Sequence, residues 1–366
     1  MLKTPKEKDE KEISIREQVK NIAIKSLIGF HTIIIIGIGG KLDIFDYLYE
    51  KTQISSESDP ITSVTFTLND LIKGTKLNAK FLDAWLHMAL ECGLFELDNT
   101  CDKCFKTGPY IYQILIDRKN MVYMGDLLTM FFNPTLRMKI LLERFKTGEE
   151  SDILDFDGEL VQAAQINCRY IGASTERIFS KYCKEHKRIL RKGGSLLEVG
   201  VGYGNNLEHW AKKYKKARIV GIDIDQGGVD YTQKCVEQNN WSDRIEIICI
   251  PINKYADNNK SKFDVIMLNQ VLHEMNPDHE YRKSVFVDLY TMLKDDGLLI
   301  VNESMMPDIY SYERGYLFEI MHKWLEVAAW SKFYNEKSFK ELIDSTPFTN
   351  SKLIREGRDY LWVIQK

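Results

Sequence analysis

The chain has 366 residues, of which 44% are hydrophobic and 28% charged, and a formal net charge of −3 at pH 7. This composition is that of an ordinary globular protein, and the length allows two domains with separate cores. The slight acidic excess argues against a basic nucleic-acid footprint over the whole chain, although a local patch stays open. The seven scattered cysteines favour reduced thiols and a cytoplasmic location.

The N-terminal part of the chain begins with a charged segment, and an apolar segment follows it. Residues 1–20 form a mixed charge run without a secretory signal, and we expect them to be flexible. Residues 33–41, IIIIGIGGK, mimic a strand before a dinucleotide loop, but Leu42 stands where the last fingerprint glycine belongs. Residues 22–47 are apolar on most faces, which predicts a helix buried between subunits. The apolar stretch from Leu27 to Ile38 is shorter than the ~20 residues of a membrane span.

Residues 21–115 are predicted to form a winged-helix-like dimerisation domain. Three short helical patterns are separated by turn residues at Asn69, Gly74 and Gly93, and a hairpin through Tyr110 follows. Between residues 60 and 97, three lysines stand against four acidic residues, which does not suit phosphate contacts. We therefore expect a packing and dimerisation module that binds no nucleic acid.

A single C-x-x-C pair, Cys101 and Cys104, lies in this region. Zinc needs two further ligands at suitable spacing, and no second pair follows nearby. We interpret the pair as a chance placement in the wing.

The most informative stretch is residues 195–204, SLLEVGVGYG, in which an apolar run ends at Glu198 and three glycines follow at every second position. The apolar run predicts a buried strand, and the glycines predict a loop that approaches a ligand closely. The third glycine comes one residue too early for the dinucleotide fingerprint. The negative charge before the loop disfavours a diphosphate and suits a cationic ligand.

Alternating strands and helices follow this loop to residue 303. Strands are predicted at 217–223, which ends in Asp223, and at 244–250, 263–269 and 297–303, with helices at about 205–214 and 278–293. Asn276 is expected to cap the latter helix, with Pro277 at its first position. The alternation predicts a parallel sheet with ligands at the carboxyl ends of its strands. Residues 352–364 read as a C-terminal hairpin.

These motifs resemble class I S-adenosylmethionine-dependent methyltransferases, specifically the small-molecule O-methyltransferases with an N-terminal winged-helix dimerisation domain. The resemblance implies an α/β fold with a Rossmann-like seven-stranded sheet, mostly parallel with one antiparallel strand, after the mainly helical dimerisation domain. It further implies a homodimer, a helical linker and lid over residues 116–180, and a cofactor-binding methyltransferase domain over residues 181–366.

The resemblance assigns S-adenosyl-L-methionine as the cofactor and suggests its ligands. The acid before the loop faces the cationic end, Asp223 accepts the ribose hydroxyls, and Ile252 and Asn253 stand where many relatives carry an acid near the adenine. The expected cofactor residues are Glu198, Gly200, Gly202, Gly204, Asp223, Ile224, Ile252, Asn253 and Asn269.

Three residues are candidates for the chemistry. In the related enzymes an L-H-D/E segment supplies a catalytic histidine, and His273 with Glu274 matches it; Glu303 matches a carboxylate that orients the histidine. Neutral histidine is a suitable base for a hydroxyl near pH 7. Methionine and aromatic side chains suit a planar apolar acceptor. The expected acceptor residues are Met124, Phe131, Met306, Tyr316, His322 and Trp324.

The sequence therefore predicts a cytoplasmic O-methyltransferase of small-molecule biosynthesis, acting on an aromatic or polyketide-like hydroxyl, without a metal and without a membrane partner. Three alternatives stay open. One is a C- or N-methyltransferase, with or without a metal, and another is a winged-helix regulator that binds the cofactor without catalysis. The third is a dinucleotide oxidoreductase.

Overall fold

The computed structural model describes residues 14–53, 62–98, 104–132, 147–150, 169–306, 319, 323, 330–356 and 359–366. The chain divides into two compact units, residues 1–137 and 138–366. Four residues named above, Cys101, Tyr316, His322 and Trp324, lie outside the described residues.

The first unit starts with a continuous helical segment. It is α-helical over Ile15–Val19, π-helical over Lys20–Ile24 and α-helical again over Lys25–Lys41. Residues 33–41, IIIIGIGGK, are therefore helical and do not form a strand before a dinucleotide loop. This confirms the helix that was predicted from the apolar residues on most faces of this segment. Its glycines allow close packing: a Cβ on Gly39 would lie 2.6 Å from the ring of Phe45.

This helix overturns the length argument against a membrane span. It runs from Ile15 to Lys41, 27 residues, and by length and composition alone it could cross a bilayer. The apolar stretch from Leu27 to Ile38 underestimated the length of the helix, because the helix also includes the more polar residues before Leu27. Ile22, Leu27 and Phe30 are each more than half exposed, whereas Ile35 and Ile36 are buried. Core helices of globular proteins have the same length and composition.

A winged-helix arrangement follows. Helices Ile44–Gln53, Leu68–Thr75 and Ala79–Glu91 precede strands β2 (Phe95–Asp98) and β3 (Cys104–Thr107). Strand β1 (Thr65–Thr67) pairs with β3, so the antiparallel sheet has the order β1-β3-β2. A π-helical turn, Tyr112–Ile116, and helix Gly125–Met130 complete this unit. The helices and strands enclose one core around Leu48, Trp85 and Phe95.

The cysteines differ from the expectation of reduced thiols throughout. Cys104 takes part in a disulfide. Four other described cysteines are free: Cys92, Cys183, Cys235 and Cys249.

The second unit is built on a seven-stranded sheet. Its strands are Ser195–Val199 (β4), Arg218–Asp223 (β5), Ile245–Cys249 (β6), Phe263–Asn269 (β7), Leu293–Asn302 (β8), Asn350–Glu356 (β9) and Asp359–Gln365 (β10). The order of the strands in the sheet is β6-β5-β4-β7-β8-β10-β9. Neighbouring strands from β6 to β8 are parallel, and β10 runs antiparallel to both β8 and β9. This is the predicted mostly parallel sheet with one antiparallel strand.

Helices cover both faces of this sheet, so successive strand residues enter different cores. In β8, Leu298 and Ile300 join one core, whereas Leu299 and Val301 join the other. Burial on both faces explains why the strands are nearly continuous apolar runs. The helices are Arg169–Tyr182, Lys184–Arg191, Asn205–Lys213, Gln226–Gln238, Ile252–Ala256, His279–Met292 and Glu336–Asp344.

Two local predictions need correction. The cap of helix His279–Met292 is Asp278, which accepts from the Tyr281 N–H at 2.8 Å, whereas Asn276 accepts from the Asp278 N–H. The turn before this helix thus contains two successive hydrogen bonds from main-chain N–H groups to side chains, of which only that to Asp278 caps the helix, and Pro277 precedes the helix. Strand β8 begins at Leu293, where it pairs with Phe263 across an irregular register, and not at Gly297.

Candidate active site

The candidate residues of the second unit follow the carboxyl ends of strands β4 to β8. Parallel strands end at the same edge of a sheet, and ligands of doubly wound folds bind there. Because β4 lies between β5 and β7, the glycine loop stands between Asp223 on one side and Asn269 on the other.

The glycine loop has the conformation that its residues permit. Gly200, Gly202 and Gly204 have φ values of 75°, 48° and 73°, a region that side chains disfavour. A Cβ on Gly200 would overlap the Val271 side chain, and one on Gly204 would lie 2.7 Å from Thr232. All three positions therefore require glycine for backbone conformation, and two also require it for packing.

Glu198 lies directly before this loop and is buried. Its Oε1 accepts a hydrogen bond from Asn206 Nδ2 at 2.8 Å. Within the described residues, Glu198 Oε2 and Asn206 Oδ1 are buried without a hydrogen-bond partner. Burial raises the pKa of Glu198 to about 8, the nearby Asp223 adds to the effect, and the Asn206 amide opposes it. Among the described residues, no group donates a hydrogen bond to these two buried oxygen atoms.

Asp223, at the end of β5, is half-buried and anchored by main-chain donors. Its Oδ2 accepts from the Gly202 N–H at 2.7 Å, and its Oδ1 accepts from the N–H groups of Ile224 and Asp225 at 2.7 and 3.0 Å. Burial raises its pKa, whereas these three hydrogen bonds lower it. A carboxylate has about four acceptor positions, so one position is left for a further donor. The Ile224 side chain is 61% exposed.

The two candidates after β6 lie in different surroundings. Ile252 begins helix Ile252–Ala256 and is buried in a core of the sheet, whereas Asn253 is exposed. Pro251 precedes them in extended conformation. The exposed amide is therefore the more accessible of the two.

Asn269, at the end of β7, belongs to a polar cluster that sequence reasoning missed. Its Oδ1 lies 3.1 Å from Oγ1 of the buried Thr175, which also accepts from Asn302 Nδ2 at 2.7 Å. Thr175 is on helix Arg169–Tyr182, and Asn302 ends β8. This cluster holds helix Arg169–Tyr182, which precedes the seven-stranded sheet, against two strand ends.

His273 and Glu303 form a buried pair. The Nδ1 atom of His273 lies 2.6 Å from Oε1 of Glu303, and the side chains are 1% and 0% exposed. The His273 N–H also donates to Glu303 Oε2 at 3.3 Å. His273 lies on a short 3-10 turn after β7, and Glu303 follows β8, the neighbouring strand. The fold thus brings together two residues that are 30 positions apart.

Two further side chains surround the imidazole. The ring of Phe333 stacks on it, with centroids 4.9 Å apart and planes inclined by 14°. The Oε1 atom of Glu274 lies 4.0 Å from His273 Nε2, and the Glu274 side chain is 29% exposed. The histidine therefore has carboxylates on both sides of the ring, one buried and one partly exposed.

Three of the six acceptor candidates are described. Met306 is half-buried, and its N–H donates to the Tyr334 carbonyl at 2.8 Å, next to the bridge between Met305 and Tyr334. Met124 and Phe131 flank helix Gly125–Met130 of the first unit. Among the described residues there is no group of three or more histidine, cysteine or acidic side chains arranged to hold a metal ion.

Phe333, Asn206 and Arg282 escaped sequence reasoning, but Arg282 had a detectable signal. It occupies a core position of helix His279–Met292, three and four residues before Val285 and Phe286, and it is fully buried. A charged residue in phase with an apolar stripe indicates a specific polar partner.

Comparison with known proteins agrees with this site. Residues 197–301 match the family model described as a methyltransferase domain. N-methyltransferase 4 of Papaver somniferum is 25% identical over 96 residues, which are 26% of this chain and 27% of that protein. The matched stretch thus spans well under two thirds of this relative.

Solved structures match over a much longer range. A putative O-methyltransferase from Nostoc punctiforme has a TM-score of 0.70 at 11% identity, covering 95% of this chain and 99% of its own. Human N-acetylserotonin methyltransferase in complex with SAM has a TM-score of 0.68 at 14% identity, covering 96% and 99%. Residues 197–301 are accordingly similar to a methyltransferase domain, and the chain shares the fold of these solved structures over nearly its whole length, the N-terminal unit included.

Proposed function

We propose that this protein is an S-adenosylmethionine-dependent methyltransferase that methylates a hydroxyl of a small, aromatic or polyketide-like molecule. His273 is the general base and Glu303 orients it. The observation that carries the proposal is the buried pair of His273 Nδ1 and Glu303 Oε1, 2.6 Å apart, at the sheet edge that also holds the glycine loop.

The residues of the loop fit the cationic end of this cofactor. Glu198 Oε2 and Asn206 Oδ1 are buried acceptors without a partner among the described residues. A buried acceptor without a donor costs about 1–3 kcal/mol, so a persistent pair of them favours a ligand that supplies donors. The ammonium of the methionyl group supplies donors and a positive charge, whereas the phosphates of a dinucleotide supply neither.

The remaining cofactor residues divide by position. Asp223 has one acceptor position for a ribose hydroxyl, and its main-chain hydrogen bonds hold the carboxylate against the loop. Ile224 and Asn253 are exposed and are assigned to the adenine end, together with Ile252, which is buried in the core. Asn269 borders the other side of the loop.

The cofactor supplies an electrophilic methyl group on sulfur, so the protein has to align the acceptor and remove its proton. Donation from His273 Nδ1 to Glu303 places the lone pair of the neutral ring on Nε2. The Nε2 atom then takes the hydroxyl proton as the oxygen attacks. Glu303 stabilises the resulting imidazolium, and Glu274, 4.0 Å from Nε2, adds a second negative charge.

The acceptor pocket is assigned to the segment after β8. Met306 begins it, and Tyr316, His322 and Trp324 belong to the same stretch of sequence. Methionine and aromatic side chains suit a flat apolar acceptor.

Nitrogen is the second candidate for the methylated atom. The Papaver somniferum relative is named as an N-methyltransferase, although its match covers a quarter of this chain. An amine protonated at neutral pH also needs a base before it attacks, so His273 and Glu303 suit both acceptors. Mass spectrometry of the methylated product distinguishes them.

Two experiments test the proposal. Calorimetry with S-adenosylhomocysteine should show binding to the purified protein and weaker binding to Asp223→Ala; no binding to either protein contradicts the cofactor assignment. Methyl transfer onto a cell extract, followed by mass detection, should identify an acceptor. His273→Ala should retain cofactor binding and lose turnover by about 10²–10⁴-fold. The matched control is His279→Ala, an exposed histidine six residues later, which should leave turnover unchanged.

We further propose a homodimer formed through the first unit, in the cytoplasm. The exposed apolar side chains of helix Ile15–Lys41 support an additional covering partner, and a second copy is the one that the related enzymes imply. Light scattering of the purified chain should give twice 42.7 kDa. Recovery in the membrane fraction, released only by detergent, would contradict this assignment and favour a membrane role for the helix.

A further inference from the structure

Arg282 is a buried arginine whose hydrogen bonds all go to main-chain carbonyls. The side chain is 0% exposed. Its Nε donates to Asn276 O at 3.0 Å, its Nη1 to Lys332 O at 2.8 Å, and its Nη2 to Met275 O and His273 O at 2.8 and 3.1 Å. Four of the five guanidinium hydrogens are thereby used.

These carbonyls belong to two segments that both contact the imidazole. Residues 273–276 form the turn that carries His273 itself. Lys332 precedes Phe333, whose ring stacks on the imidazole, and the Lys332 N–H donates to His273 O at 2.9 Å. The Arg282 guanidinium therefore links the turn that carries His273 to the segment that carries Phe333.

Burial of the Arg282 guanidinium is energetically unfavourable by itself. A buried cation loses its hydration, and carbonyl dipoles compensate it less completely than a carboxylate does. The Tyr334 ring, with its centroid 5.1 Å from the guanidinium carbon, contributes a cation–π interaction. An apolar residue at this core position would fill the space without that cost. The planar guanidinium, however, can hold carbonyls from two segments in one fixed geometry.

We infer that Arg282 is the positioning residue of the catalytic histidine. Through the carbonyls of His273 and Lys332 it fixes the distance between the base turn and the Phe333 segment, and thereby holds the imidazole against Glu303. This inference rests on the proposed function of His273, since the positioning matters for turnover only if the histidine is the base.

The test compares Arg282→Met, which removes all four donors, with Arg282→Lys, which retains the charge but has three donors. The matched control is Arg244→Met. Arg244 also donates to main-chain carbonyls, Ala211 O at 3.0 Å and Ala217 O at 3.4 Å, but precedes β6 at the opposite edge of the sheet. Three quantities are measured: turnover, S-adenosylhomocysteine affinity, and the proton resonance of His273 Nδ1–H, assigned by its loss in His273→Ala.

We expect Arg282→Met to lower kcat by about 10²-fold, the cost of a misplaced catalytic group, with cofactor affinity changed by less than about threefold. The Nδ1–H resonance should shift upfield or broaden, because the hydrogen bond to Glu303 is no longer held. Arg282→Lys should lie between this variant and the wild type. Arg244→Met should leave kcat and the resonance unchanged even if it lowers stability.

Unchanged kcat and an unchanged resonance in folded Arg282→Lys or Arg282→Met would overturn the inference. If Arg282→Met does not fold, the kcat and the resonance of Arg282→Lys test the inference alone. The three donors of lysine cannot form all four hydrogen bonds of Arg282, so this variant should still show an effect. The resonance also separates the two levels of the proposal. Full turnover in His273→Ala would refute the base, whereas the response of the Nδ1–H signal to Arg282 would still report the positioning.

Discussion

The Asn206 amide donates to one oxygen of the Glu198 carboxylate at 2.8 Å and leaves the other oxygen, together with its own Oδ1, unpaired among the described residues. Both residues are buried beside the glycine loop, Glu198 at the end of β4 and Asn206 in the first turn of the next helix. Two buried oxygen atoms without partners are destabilising by themselves, and because burial raises the pKa of Glu198 to about 8, its carboxylate form in particular lacks a compensating donor. The site is therefore best completed by a ligand that donates hydrogen bonds.

The first prediction concerns cofactor affinity. Glu198→Gln removes the charge and one acceptor, so S-adenosylhomocysteine should bind about 10–100-fold more weakly, as expected for the loss of a hydrogen bond to a charged group worth about 1.5–3 kcal/mol. Isothermal titration calorimetry measures the change. Glu208→Gln, on helix Asn205–Lys213 after the glycine loop and paired with Lys212, is the control and should bind normally. Equal affinities for both variants would remove Glu198 from the cofactor site.

The second prediction is a pH dependence of stability. Burial raises the pKa of Glu198 from 4.5 to about 8. Between these values the folded protein holds a proton that the unfolded chain has released, so this residue makes the free energy of unfolding fall as pH rises, and the fall ends above pH 8. The total effect is on the order of a few kcal/mol.

Urea denaturation of the ligand-free protein at pH 5, 6.5 and 8.5 isolates this contribution when wild type is compared with Glu198→Gln. The stability of the wild type relative to the variant should decrease at each step. A constant difference between the two proteins across this range would show that Glu198 does not hold a proton in the folded state.

The third prediction concerns the loop glycine Gly200. Gly200→Ala should destabilise the protein by about 2–4 kcal/mol, since positive φ costs about 1–2 kcal/mol and the overlap with Val271 adds packing strain. Gly93 is the matched control, because its φ is +72° with no atom within 4 Å of a built Cβ. Gly93→Ala should show only the conformational cost. Equal losses in thermal unfolding would mean that the Val271 contact is easily relieved.

The fourth prediction separates the two carboxylates around His273. Glu303→Gln should lower kcat by about 10²–10⁴-fold, because the imidazolium loses its buried counter-charge. Glu274→Gln, at 4.0 Å from Nε2 and partly exposed, should lower kcat by less than about tenfold. Similar losses for the two variants would contradict the orienting role of Glu303.

The sequence by itself determined the features that depend on short-range chemistry. The glycines at 200, 202 and 204 predicted a loop with positive φ because other residues are strained there. Alternating apolar strands and amphipathic helices predicted the sheet and its antiparallel hairpin. Sequence patterns predicted helix ends less well where several residues that favour an N-cap stand close together. Asn276 and Asp278 are both such residues, and Asp278 caps helix His279–Met292. A window that began at Leu27 likewise underestimated the first helix.

Tertiary structure decided what depends on residues far apart in the chain. The pair of His273 and Glu303 forms because β7 and β8 are neighbours in the sheet order, and no local pattern encodes that order. The contacts of Arg282 with His273 O and Lys332 O, and of Glu198 with Asn206, arise from burial of polar groups that must find partners among whatever the fold brings near. The sequence thus identified the chemistry at the strand ends, while packing selected the residues that hold it in place.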